Sequence, residues 1–232
     1  MKKAGEAVLE FDIQHGEHFN LLHHDVYEIA RGWICSRMVK TAWFGTPCNT
    51  WSTARRGPPG GKMPCSLRSA EFVMGLPALE AKDKEKVRVG NLLAARAAEL
   101  QRRCQELKIP WGEENPGSSF LWQHSWRRKM EKVAEVYYVD YCSYGTVFRA
   151  RTRLQISAGR RTQAFEGHLC RGRGTCTFSG RPHDRLSGPD GSTFKTARKN
   201  AYPPALCRAL ARLLLASASC GLAAARWRFW KP

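Results

Sequence analysis

Acidic residues are scarce where this chain is most basic. Its 232 residues contain 20 Asp and Glu against 38 Lys and Arg, and residues 151–232 hold only 3 of those acids but 16 of the basic side chains. A positive field concentrated in the last third favours a polyanionic partner, most often nucleic acid, through phosphate contacts and counterion release. A solvated basic surface or tail is the plainer alternative. Long apolar runs are missing as well. The longest uncharged stretch, residues 213–225, is built largely of Ala and Ser between Arg212 and Arg226, and falls short of the ~20 residues a membrane-spanning helix needs. The amino terminus lacks the apolar run of a secretory leader, and the nine cysteines have no secreted-type spacing. A reducing, intracellular setting is expected, nuclear if the polyanion is DNA. No internal repeat occurs.

What is there fills one domain, or one domain with a small appendage. Residues 7–13 read as a short strand ending near Asp12, followed by Gly16 as a breaker. Residues 24–34 read as a helix with Val26, Ile29, Ala30 and Trp33 on one face, and residues 39–44 as the next strand. This β-α-β order predicts a mostly parallel sheet with helices on both faces. The Arg-, Gly- and Pro-rich stretch 52–79 is too long for a passive connection. Residues 82–108 are strongly helical, with Leu93, Ala97, Leu100, Cys104 and Leu107 on one side. Residues 109–111 lead into Glu113, Glu114, Asn115 and Pro116, where proline argues against a continuing central strand. Residues 133–142 and 146–156 read as an antiparallel pair, and residues 204–215 as a helix started by proline.

Several landmarks stand in order along the chain. They are Pro47-Cys48 after a strand, Glu114-Asn115-Pro116 after the next helix, the Arg151-x-Arg153 strand, and Asn200-Ala201-Tyr202-Pro203-Pro204 before the last helix. This order resembles the cytosine-C5 DNA methyltransferase family, over roughly residues 7–215. A closer likeness is to methylase-like proteins of algal and protist mobile elements, through the Thr46-to-Arg55 loop and the segment Asn115 to Trp122. The resemblance implies a Rossmann-like methyltransferase fold with a catalytic core at residues 1–156, a basic insert at 157–195 in the place of the target-recognition region, and a closing helix with a basic tail at 196–232. It implies S-adenosylmethionine as methyl donor and DNA as substrate. Cys48 would add to C6 of cytosine, Glu114 would hold the base, and Arg151 and Arg153 would bear on phosphate or the base carbonyl. Asp12, Asn20, Pro47, Asn200 and Ala201 would line the donor site, and Arg55, Arg56, Arg171 and Arg173 would grip the backbone. Glu113 competes for the role of Glu114 should the register slip by one.

The chain also departs from the family pattern. Residues 1–5 hold no Gly-x-Gly turn, so the chain is expected to be amino-terminally truncated relative to the family fold, without its first strand. Asn49 follows Pro47-Cys48 where the family has glutamine, and Pro116 stands in place of valine. A nucleic-acid-binding remnant or accessory protein of a mobile element, without turnover, is therefore the rival expectation. In the basic third, His168, Cys170, Cys176 and His183 offer two thiolates and two imidazoles. These would suit a tetrahedral zinc site that orders a segment too poor in apolar residues to pack itself.

Overall fold

A computed structural model describes residues 7–55, 57, 64–157, 163–186, 188–190 and 193–222. The α-helices are α1 (His24–Cys35), α2 (Ala81–Glu106), α3 (Ser125–Met130) and α4 (Pro204–Leu222). The strands are β1 (Ala42–Phe44), β2 (Trp111–Pro116), β3 (Glu135–Asp140), β4 (Arg151–Ile156) and the short hairpin β5 (Pro189–Asp190) with β6 (Thr193–Phe194). The main sheet has the order β1-β2-β4-β3. β1 runs parallel to β2, with Ala42 opposite Trp111 and Phe44 opposite Glu113. β4 is antiparallel to both its neighbours, setting Glu114 opposite Leu154 and Tyr138 opposite Arg153. The fold is thus mixed α/β, with one parallel pairing rather than the mostly parallel sheet expected.

Helices cover both faces. Alternation along the strands sends Tyr137, Val139, Leu154 and Ile156 to one side, where Leu206, Leu210 and Leu214 of α4 complete a core. Trp111 points the other way, into Ala30 and Ile34 of α1 and Leu100 and Cys104 of α2. Each Leu or Ile fully removed from water here contributes about 1.5–3 kcal/mol before entropy is counted.

Several expectations change in detail. Residues 7–12 form no strand; Asp12 instead caps a 3-10 turn at Ile13–His15 by accepting from the Gln14 N–H. With Leu9 and Ile13 both exposed, that segment lacks the buried face a strand would need. The face of α1 is rotated: Val26, Ala30 and Ile34 are buried, whereas Ile29 and Trp33 are exposed. α2 buries Val87, Gly90, Ala94, Ala98, Leu100, Gln101 and Cys104, with Leu93 and Ala97 half-buried beside them. β2 is a central strand in spite of Pro116, because the proline takes its last position, where the ladder ends. No helix of the described residues is long and apolar enough to cross a membrane.

β2 carries a fully buried charge. Glu113 receives two hydrogen bonds from Arg127, at 2.8 and 3.0 Å, and one from the Thr46 hydroxyl at 2.6 Å. Arg127 also donates to the Ala94 carbonyl of α2 at 2.8 Å. Neither side chain of the pair is exposed at all. Glu113→Gln is expected to cost about 3–5 kcal/mol by leaving the guanidinium uncompensated. Replacing both partners with Leu and Met should restore most of that loss, as urea unfolding of the single and double variants will measure.

Candidate functional site

The site grows from the carboxyl ends of the parallel pair, where α/β sheets present ligands. β1 ends at Phe44, and the chain turns through Gly45, Thr46 and Pro47 to Cys48. This turn is stitched to the end of β2. The Asn115 amide donates to the Thr46 carbonyl at 2.6 Å and the Phe120 N–H to the Trp51 carbonyl at 2.9 Å, while the Trp122 indole folds its own segment back onto the Pro116 carbonyl at 2.9 Å. The long segment beyond Cys48 is gripped from within by Arg68, which is buried. Its guanidinium lies 3.4 Å over the Trp51 ring and donates to the carbonyls of Thr50 and Val73 and to the Asn91 side chain. Among the described residues no carboxylate joins these bonds, and burial pulls the arginine down to about 10. α2 passes close to this clasp at Gly90, where a Cβ would meet the Thr50 hydroxyl at 2.5 Å.

The pleat separates the two glutamates. Glu113 faces α2 and is consumed by Arg127, whereas Glu114 faces α4, so the choice between them falls on Glu114. Its carboxylate accepts from the Thr152 hydroxyl and, at 2.9 Å, from the Tyr202 phenol. Burial pushes the Glu114 carboxyl above its usual range, opposed by those two donors and by Lys199. Burial holds the charge on Glu113 back in the same way, but Arg127 wins and keeps it ionised. Cys48 is half-buried. Burial and the charge of Glu114 raise its thiol, and Lys199 acts against them. Cys48, Glu114, Lys199 and Tyr202 therefore share one electrostatic environment, with the Trp43 ring packed edge-on against Tyr202.

The other expected residues lie elsewhere. Arg151 and Arg153 are on the sheet face opposite Glu114. Arg151 pairs with Asp140 at 2.8 Å, while Arg153 pairs with Glu131 and lies over the Trp122 ring at 4.6 Å. Asp12 is exposed and occupied as a cap, and Asn20 spends its side chain on Glu17 and the Leu22 N–H. Pro47, Asn200 and Ala201 are exposed. Asp12 and Asn20 are thus engaged by their own turns. Arg55 donates to the Cys65 carbonyl, Arg56 lies outside the described residues, and Arg171 and Arg173 are exposed with Arg181 and Arg185.

The expected metal ligands are partly exchanged. Cys142, Cys170, Cys176 and His183 bring their ligand atoms within 4.8 Å of one another. His168 is excluded: it stacks on Tyr144 and bonds the Ser143 hydroxyl at 3.0 Å. The place given to it belongs to Cys142, from the 3-10 turn Tyr141–Tyr144 that follows β3. Burial opposes ionisation of Cys176, but the N–H groups of Phe178 and Ser179 draw its thiol down to about 6.

Comparisons with protein-family models, with curated proteins and with solved structures return no match to this chain.

Four contributors escaped the reading of the sequence. Cys142 falls outside the basic segment in which ligands were sought, although three cysteines and a histidine within reach of one strand end were a usable signal. Tyr202 occupies the position of an apolar residue in the family motif, so its phenol carried no expectation. Lys199 and Thr152 take part only through the way the sheet and α4 meet. Iodoacetamide labelling of Cys48, followed by peptide mapping at fixed neutral pH, is expected to slow several-fold in Lys199→Ala and to quicken in Glu114→Gln. Stability carries a matching sign: a carboxyl raised by folding contributes most below its unfolded pKa, and that contribution is lost as pH rises through the folded value. Glu114→Gln should flatten that limb of the urea-midpoint profile as pH rises above the ordinary carboxyl range.

Proposed function

We propose that this chain acts on cytosine in DNA through covalent capture of the base by Cys48, with Glu114 holding the ring. The observation that carries the proposal is the convergence of a half-buried cysteine and a carboxyl held above its usual range at the ends of two parallel strands. A protonated Glu114 donates to N3 and withdraws electrons from the ring, while the Cys48 thiolate adds to C6. The C5–C6 π pair moves to C5, giving an enamine that takes a proton from water. Reversal, with loss of a proton from C5, restores both cytosine and thiolate. The two groups support each other, because a neutral Glu114 no longer repels the thiolate and Lys199 stabilises it. Rotating the base out of a duplex costs a few kcal/mol, which the exposed arginines of the basic segment would help repay through phosphate contacts.

In the family this chain resembles, the captured base accepts a methyl group at C5. Because Asp12 and Asn20 already spend side-chain bonds within their own turns, the activity proposed for these residues is the donor-independent half of that reaction. A Rossmann-like methyltransferase ancestry is supported by the same strand-end placement of Pro47-Cys48 and Glu114-Asn115. Zinc is the ion that best suits the thiolate-rich cluster. A second reading, nucleic-acid binding without chemistry, is favoured by the exposed Arg171, Arg173, Arg181 and Arg185.

Exchange at C5 separates the two readings. DNA labelled with tritium at cytosine C5 should release tritium to water with the native chain, and release should fall to background in Cys48→Ala while Cys35→Ala behaves as native. The rate is expected to pass through a maximum with pH, rising as Cys48 ionises and falling as Glu114 loses its proton. DNA retained equally by native and Cys48→Ala chains, with no release from either, would establish binding alone.

A further inference from the structure

The basic segment presents a physical difficulty. Between residues 163 and 186 only Phe165, Cys170 and Cys176 are buried, far too little apolar surface to offset the entropy of ordering so many residues. The segment nevertheless has a defined path. Cys176 accepts from the Gly180 N–H at 2.9 Å and donates to the Arg181 carbonyl at 2.7 Å, while the His183 N–H reaches the Gly174 carbonyl at 3.0 Å. At Gly172 a Cβ would lie 1.7 Å from the Thr175 carbonyl oxygen, so only glycine allows this turn. These bonds bend the segment so that two thiols and one imidazole meet a third thiol, Cys142, supplied by the end of β3.

We infer that Cys142, Cys170, Cys176 and His183 form a closed structural zinc centre that fastens the basic segment to the carboxyl end of β3. Tetrahedral zinc with Zn–S bonds near 2.3 Å and Zn–N bonds near 2.0–2.1 Å sets its sulfurs about 3.8 Å apart and a sulfur and nitrogen about 3.6 Å apart. The Cys170 sulfur lies 3.7 Å from His183 Nε2, and all four donor atoms fall within 4.8 Å of one another. Three sulfurs and one imidazole satisfy four-coordinate zinc, and the burial of all three cysteines leaves no open position for water or substrate. A N–H bond orients one of the sulfurs: the Thr177 N–H points at Cys170 Sγ at 3.4 Å. The hydroxyl of Thr177 adds a second contact at 3.5 Å.

Asp140 links this centre to the sheet. Its side chain is fully buried, accepts from the Cys170 N–H at 2.8 Å, and pairs with Arg149 and Arg151. The Asp140 N–H in turn donates to the His168 carbonyl at 2.8 Å. One carboxylate therefore holds both the ligand loop and the start of β4. The ion would set where Arg171, Arg173 and Arg181 stand relative to the sheet, whether or not Cys48 performs chemistry.

Metal analysis of the full chain expressed with zinc is expected to find one zinc per chain. Replacement by cobalt should give the intense visible bands of a tetrahedral ion and thiolate charge-transfer bands scaled to three sulfurs. Cys142→Ser, Cys176→Ser and His183→Ala should lose the metal, whereas His168→Ala should retain it. Since a cysteine variant could fail to fold, native protein provides the independent measure. Removal of zinc by chelation should open the segment to trypsin at Arg171, Arg173 and Arg181 while the α2 core stays protected, and added zinc should close it. A zinc-free native chain, a weak octahedral cobalt spectrum, retention of zinc by Cys142→Ser, or tryptic cleavage indifferent to zinc would each overturn the inference.

Discussion

The buried pair between Glu113 and Arg127 is the constraint on which the rest of the structure leans. It joins four elements at a point that water does not reach: β2 through Glu113, α3 through Arg127, α2 through the Ala94 carbonyl, and the turn after β1 through Thr46. A buried ion pair adds little net stability over an apolar replacement, yet it is costly to break from one side. Its value here is geometric. An apolar contact could slide, but a bidentate guanidinium and a short hydroxyl bond admit one arrangement. That arrangement fixes the height of Thr46 against β2, and with it the position of Cys48 two residues later.

Adjacent residues of one strand have been put to opposite uses. Glu113 has a cation and remains ionised; Glu114 has two neutral hydroxyl donors, lies in a buried setting, and is held toward its neutral form. The contrast comes from the pleat, which turns one side chain toward the arginine-bearing helix α3 and the other toward α4. Neighbouring carboxyls with their ionisation pushed apart by environment are a recurrent way to obtain an acid at neutral pH. Cys48 gains from this division, since holding Glu114 toward its neutral form weakens the charge that raises the thiol, while Lys199 acts to lower it.

The sequence made the regular elements legible and the polar contacts illegible. α2 was evident from its apolar period, and β3 and β4 from alternation, because those patterns are local. Strand order was not, since nothing in residues 109–116 says that β4 will slip between β2 and β3. The rotation of α1 had the same origin: Ile29 and Trp33 are apolar, yet among the described residues they stay exposed, Trp33 with the edge of Phe11 against it. At the site, Cys48 and Glu114 could be named from motif order, and Glu113 could not be dismissed until the pleat was known. Arg151 and Arg153 were misplaced for the same reason, since a one-residue difference in facing sends a strand residue across the sheet.

Apolar burial accounts for the two faces of the sheet but not for the segments beyond its edges. Those are held by polar fasteners, each drawing remote carbonyls or ligands to one centre. Arg68 gathers Thr50, Val73 and Asn91 under the Trp51 ring and so gives shape to the long segment after Cys48. Asp140, together with the cluster of three cysteines and His183, does the same for the basic segment. Both fasteners border the strand ends at which Cys48 and Glu114 meet. The division of labour follows from composition: segments rich in Gly, Arg and Pro cannot pack a core of their own, so their order must come from a few directional contacts. Such contacts act all or none, and loss of one centre would release a whole segment while the sheet beneath it stayed intact.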